Sequence, residues 1–207
     1  MTPHRKDLRA RFDRLLAIME SEQFLGVYGL GKEVPFFIVA VRPDDAGSIA
    51  EVVSMLATRL ERQGIATLTI DLYDLALDIL RERGLLDRLV QMETELDRHD
   101  MLQLLQDVLD PRDRLVPEIE RRMAQAHFHI LLVTGVGEVY PYVRSHSVLH
   151  CLQRAAKAHP MVFFYPGEYE HAADGSSRLR LFGRLADDHY YRAFDIDDYH
   201  LMQEKPS

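Results

Sequence analysis

His129-Ile130-Leu131-Leu132-Val133-Thr134-Gly135-Val136-Gly137-Glu138-Val139-Tyr140-Pro141 joins the pattern of a buried strand to that of a turn. Its first half is an apolar run with β-branched members, ending in a glycine-spaced loop. Phe36–Val41 has the same apolar texture, which suits a strand covered on both faces, as in a parallel sheet. Ala66–Ile70 and Met161–Tyr165 complete a set of four strands, the last closed by Pro166-Gly167. Loops that follow strands in such sheets stand at the carboxyl edge, where ligands collect.

Helical patterns lie between the strands. Leu8, Phe12, Leu15, Leu16 and Met19 fall on one face of an opening helix. After the first strand, Asp44, Asp45 and Ser48 offer caps for a helix carrying Val52, Val53, Leu56 and Leu60, with Gly64 at C′. Asp71 to Gln125 is too long for a single crossover helix, so an insertion of three or four helices is expected. Gly84 and Asp110-Pro111 punctuate it, and Pro117 opens a further helix at its first turn. Another helix is predicted over 144–157. Beyond the turn signal Asp174-Gly175-Ser176-Ser177, short strands at Leu179–Phe182 and Tyr191–Ile196 predict a hairpin or an edge addition. The alternation implies an α/β fold: a mainly parallel twisted sheet with helices on both faces, in a single domain whose segment 71–125 is a helical insertion.

The composition is that of a globular chain: of 207 residues, 47% are hydrophobic and 28% charged. The formal net charge of −8 comes without any Lys/Arg block, so direct nucleic-acid binding is not expected. The single cysteine, Cys151, precludes an intrachain disulfide and fits a reducing compartment; mid-helix, it reads as a small buried thiol. No apolar run approaches the roughly 20 residues of a membrane span, and the N-terminal residues lack a signal peptide's apolar core. A cytoplasmic protein is expected.

The chemistry of Gly135–Pro141 does not match its position. A Walker phosphate loop needs four residues between its glycines, then Lys and Ser/Thr. Here one residue separates Gly135 from Gly137, Glu138 brings negative charge, and Pro141 lacks a donor. Tyr140 occupies the third-glycine position of a dinucleotide fingerprint. The loop therefore reads as a tight strand-to-helix turn. Gly29-Leu30-Gly31-Lys32 precedes its strand, the wrong context for a phosphate loop.

His146 and His150 stand four apart on the predicted helix, a spacing that can bind metal, but no third ligand is evident. His127 and His129 read as strand-entry residues. Ser145 and Ser147 lack the elbow that exposes a nucleophile. Glu168 is a strand-end carboxylate with Asp71 as a potential partner across the sheet. Asp187, Asp188, Asp195, Asp197 and Asp198 read as solvated turn residues.

Several segments together carry a wider pattern: Asp71–Leu75, Thr134–His146, Phe164-Tyr165-Pro166-Gly167-Glu168-Tyr169, Leu181–Leu185 and Tyr190–Phe194. With them the chain resembles the BrxB family of bacteriophage-exclusion (BREX) systems, from the first helix to about Ile196. The Glu170–Ser177 turn is longer than the family's usual one. The resemblance implies a role in antiviral defence and no established catalytic activity or cofactor. It suggests a small non-enzymatic adaptor joining larger components: PglZ first, with the ATPase BrxC and the methyltransferase PglX as further candidates. Gly135, Gly137, Glu138, Tyr140, Arg144, His146, Glu168, Arg184 and Arg192 are the candidate interaction or ligand residues. The alternative from a different class is a nucleotide- or metal-dependent enzyme with an eroded phosphate loop.

Overall fold

The computed structural model describes residues 3–26, 36–92, 95–155, 159–171, 177–182, 185–187 and 193–199. Five parallel strands run in the order β2-β3-β4-β1-β7: β1 Phe36–Val41, β2 Thr67–Asp71, β3 Ile130–Thr134, β4 Met161–His171 and β7 Phe194–Asp195. Period-2 alternation splits each inner strand between two apolar layers. Phe36, Ile38, Leu131, Val133, Met161, Phe163 and Tyr165 enter one. Phe37, Val39, Ile130, Leu132, Val162 and Phe164 enter the other. This is why the strands read as continuous apolar runs.

The helices follow from the handedness of the connections. From β1 the chain crosses the sheet to β2 through α2, Ile49–Arg62, which packs on the Phe37–Val39 side with α1, Pro3–Glu20. From β2 it steps back to β3 and then β4, moving in the opposite direction. Right-handed crossovers of opposite direction must lie on opposite faces. Accordingly α3 (Leu72–Glu82), α4 (Leu86–Met92), α5 (Arg98–Val108), α6 (Val116–Gln125) and α7 (Ser145–Ala155) supply the other layer.

The segment between β2 and β3 thus holds four α-helices and a π-helical turn at Pro111–Leu115. Its breaks are chemically marked. Asp71, Asp97 and Asp110 each accept two backbone N–H bonds at the starts of α3, α5 and the π turn. Gly84 takes φ +65 after α3, and Pro117 lies in the first turn of α6. Arg122 bridges Asp78 on α3 and Glu118 on α6, both at 2.9 Å.

Some details depart from the sequence reading. Ser48 occupies the N-cap position of α2 but makes no side-chain cap; its hydroxyl donates to Asp45 O at 2.7 Å, because a 3-10 turn over Pro43–Ser48 precedes the helix. Pro166-Gly167 does not close the fourth strand. β4 leaves the parallel sheet there and continues as one arm of an antiparallel pair with β5, Ser177–Leu181, which in turn pairs with β6, Leu185–Asp187. Gly167 permits the turnover: a Cβ there would collide with Arg180 O and stand 2.8 Å from Tyr165 Cε1.

The predicted strand over Tyr191–Ile196 shortens to Phe194–Asp195, with Ile196 opening a 3-10 turn and Tyr191 outside the described residues. Asp195 and Asp197 are half-buried and hydrogen-bonded, which solvated turn residues would not be. Asp195 Oδ1 accepts from Asp197 N at 2.9 Å. Arg11 on α1 donates to Asp197 Oδ2 at 2.7 Å and to Ala40 O at 2.6 Å, tying α1 to β1 and to the C-terminal segment. Asp188 and Gly29–Lys32 lie outside the described residues.

Candidate functional site: the carboxyl edge of the sheet

At the end of β2, Asp71 Oδ1 accepts from Tyr73 N at 2.9 Å and Asp74 N at 3.0 Å, while Oδ2 accepts from the Thr134 hydroxyl at 2.7 Å. Asp71 and Thr134 are register partners, so neighbouring strands deliver them to one spot. The positive end of α3 therefore already holds an anion, the protein's own carboxylate. Gly135 comes next, at φ +76. A Cβ on it would lie 2.6 Å from Asp71 Oδ1 and 2.8 Å from the backbone nitrogens of Leu72 and Tyr73. The first glycine of the loop brings the chain against this cap and leaves no room for a phosphate.

This overturns the pairing of Asp71 with Glu168. β3 intervenes between β2 and β4, and two strand spacings amount to about 10 Å. Glu168 is exposed on β4 and faces Arg180 of β5 in the antiparallel register.

The second glycine has a different neighbour. A Cβ at Gly137 would meet Pro166 Cγ at 2.8 Å and the ring of Phe182 at 3.1 Å. The loop is thus seated on the point where β4 turns over into its hairpin. Phe182 N–H donates to Pro166 O at 2.8 Å, and Phe182 adopts φ +54, a left-handed conformation unusual for a bulky residue. The residue remains 37% exposed.

The rest of the loop winds in helix-like turns, with Val139 N donating to Gly135 O and Val143 N to Val139 O. Val136, Val139 and Val143 point into the core, whereas Glu138, Tyr140, Tyr142 and Arg144 are exposed. The Tyr140–Pro141 peptide bond is cis. Gln106 of α5 donates to Pro141 O at 3.2 Å and joins the helical segment to the loop. Tyr73, 45% exposed, stands at the first turn of α3 beside Gly135.

The structure therefore brings Gly135, Gly137 and Glu138 to Pro166, with Tyr140 and Arg144 further along the same loop. His146, half-buried, begins α7 next to them. Arg184 and Arg192 lie outside the described residues. Sequence reading gave no separate weight to the exposed rings of Tyr73, Tyr142 and Phe182. It also missed Asp71 as a cap, although Asp at the junction of a strand and a helical pattern is the ordinary signal for one.

A cleft of about 90 Å³ opens between the turn before α2 and the ends of β3 and β4, lined by Ala46, Gly47, Thr134, Gly135, Phe164 and Pro166 among others. Small-molecule sites run to about 300–1,000 Å³, so this one has room for a few waters and none for a nucleotide. Among the described residues no group of three or more His, Cys, Asp or Glu side chains is placed to hold a metal. His146 is half-buried and His150 exposed on α7. His129 lies just before β3, and its Nδ1 accepts the Ala66 N–H at 2.9 Å, a structural use of the ring. Cys151 is half-buried, packed on the edge of the core and not within it.

No helix among the described residues is long and apolar enough to cross a membrane. The family model for "BREX protein BrxB" matches residues 68–196, which include the helical segment, the glycine loop and the hairpin. The chain is 32% identical over 195 residues to the BREX protein BrxB of Bacillus cereus (strain H3081.97), covering 92% of this chain and 98% of that one. To the BREX protein BrxB of Escherichia coli O9:H4 (strain HS) it is 25% identical over 189 residues, 91% of each chain. No solved structure matches it. With the matched segment covering more than half of its length, the chain belongs to the BrxB family of BREX proteins.

Proposed function

We propose that this protein acts without catalysis of its own, as a cytoplasmic assembly component that holds larger components of a BREX phage-defence system together. PglZ is the first candidate partner, with BrxC and PglX behind it. One observation carries the reading: the carboxyl edge of the sheet, where an α/β enzyme would bind its ligand, is filled from within by Asp71 and Gly135. Exposed on the segments that end there are Tyr73, Tyr140, Tyr142 and Phe182, and the charged Glu138, Arg144 and Glu168. Exposed aromatics with a charged surround are a common composition for the centre and rim of a protein interface.

The test is co-purification of tagged protein with PglZ, BrxC and PglX, singly and together. Tyr140→Ala combined with Arg144→Ala should weaken capture at least tenfold while leaving the melting temperature within a few degrees, since both side chains are exposed. Absence of a stable complex in every pairing would sink the adaptor reading. A rise in melting temperature with a nucleotide or a divalent metal would favour the enzymatic alternative, because a ligand that binds only the folded state stabilises it.

A further inference from the structure

β2 ends the sheet and, among the described residues, pairs with β3 alone. Its open side can be read from the backbone. Just before β3 and at its first residue, His129 N–H and, at a longer distance, Ile130 N–H donate to Ala66 O, while Leu131 N–H, within the strand, donates across to Pro160 O. Even-numbered residues of β3 therefore point to β2 and odd-numbered ones to β4. With Thr67 opposite Ile130, strand alternation turns the N–H and C=O groups of Thr67, Thr69 and Asp71 outward. An unpaired edge is usually blunted by charge, proline or a bulge. Within β2 there is no proline, and its one charge, Asp71 at the end, has its carboxylate bonded within the chain; the pairing with β3 runs unbroken from Thr67 to Asp71.

We propose that this edge is a two-fold interface through which a second copy of the chain adds an antiparallel strand centred on Thr69, making one continuous sheet. The strand is its own complement. With Thr69 on the axis, Thr69 meets Thr69 of the second copy, Leu68 meets Ile70, and Thr67 meets Asp71. The central pairs match in kind, hydroxyl with hydroxyl and apolar with apolar, while Thr67 and Asp71 meet through their backbones, the Asp71 carboxylate being already bonded to Tyr73 N, Asp74 N and Thr134. Leu68 and Ile70 share the face that packs under α3, so apolar side chains meet along one face of the new ladder. Thr69, on the other face, is exposed. Centring on Thr69 also engages all three outward-facing residues of the five-residue strand, whereas a shift by one leaves one of them without a partner. Such an isologous contact closes at two copies. It is independent of the adaptor reading, because it uses none of the loop residues.

Sedimentation across a concentration series should give twice the 23.9 kDa chain mass. Thr69→Lys sets two ammonium groups against each other on the axis and should yield monomer with an unchanged circular dichroism spectrum. In a Cys151→Ser background, Thr69→Cys should form an intermolecular disulfide under mild oxidation, because hydrogen-bonded antiparallel partners lie about 5.5 Å apart at Cα, within the range a disulfide spans. Thr67→Cys should not, its two copies being about 14 Å apart along the strand. A native chain that is monomeric at every concentration overturns the proposal. So does a dimer that crosslinks equally at both positions or ignores Thr69→Lys. Should Thr69→Lys fail to fold, the pair of cysteine variants still decides.

Discussion

One methyl group at Gly135 would have to fit within 2.6 Å of Asp71 Oδ1, on a backbone already at φ +76. Both terms oppose it: the left-handed conformation costs a residue with a Cβ about 1–2 kcal/mol, and overpacking a rigid site about 1–3 kcal/mol. Gly135→Ala should therefore lower stability by about 3 kcal/mol in urea titration, with the slope of the transition unchanged. Phe182 makes the converse case. It bears left-handed strain yet leaves its ring partly in solvent, a combination that folding alone does not reward. Phe182→Asn, a residue that tolerates this conformation, should change stability by less than about 1 kcal/mol, backbone relief offsetting lost packing on Gly137. The same variant should reduce capture of the partner; undiminished capture would make the ring merely structural. At this scale the glycine loop was legible because glycine spacing after an apolar run is a local signal. The occupant of its space was not, since Asp71 reaches it only through pairing of β2 with β3.

Among the elements, the ion-pair group between α3 and α6 carries a pH signature. The hydrogen bond from Arg122, with help from Arg81, holds the Asp78 carboxyl below its ordinary 3.8. Arg121 and then Arg122 hold Glu118 below its ordinary 4.5. Carboxylates with depressed folded values stabilise the fold above their unfolded values, and that stabilisation disappears as pH falls through the folded ones. Arg122→Met should remove the link between the helices at neutral pH, costing about 1 kcal/mol because solvent screens these half-exposed groups. The gap between variant and native protein should close in acid, below the ordinary carboxylate range; urea midpoints at neutral and acidic pH measure it. The helical segment was readable from its punctuation by Gly84, Asp110-Pro111 and Pro117. The passage of β4 through Pro166-Gly167 was not: both residues usually end a strand, and only the antiparallel approach of β5, which Gly167 admits, carries the strand onward.

For the whole molecule, the two ends of the described chain close on each other where Arg11 meets Asp197 beside Asp195. Burial pushes the Asp195 carboxyl up, against the hydrogen bond from Asp197 N–H and with repulsion from Asp197 and Asp198 added. A raised folded value means that ionisation costs the folded state more than the unfolded one, so stability falls as pH rises through the interval above 3.8. Asp195→Asn keeps an acceptor for Asp197 N–H and should melt higher than the native protein at neutral pH, with the advantage fading in strong acid. A lower melting temperature at neutral pH would contradict this account. The four buried strand cores, the helices between them and the α/β class were legible in the residues, because burial on both faces and turn chemistry are written in local order. Long-range pairing alone set the order β2-β3-β4-β1-β7, the filling of the carboxyl edge by Asp71, and the side of β2 left without a partner among the described residues. Each of these depends on which distant segments pair, and apolar runs so alike in texture do not encode their neighbours.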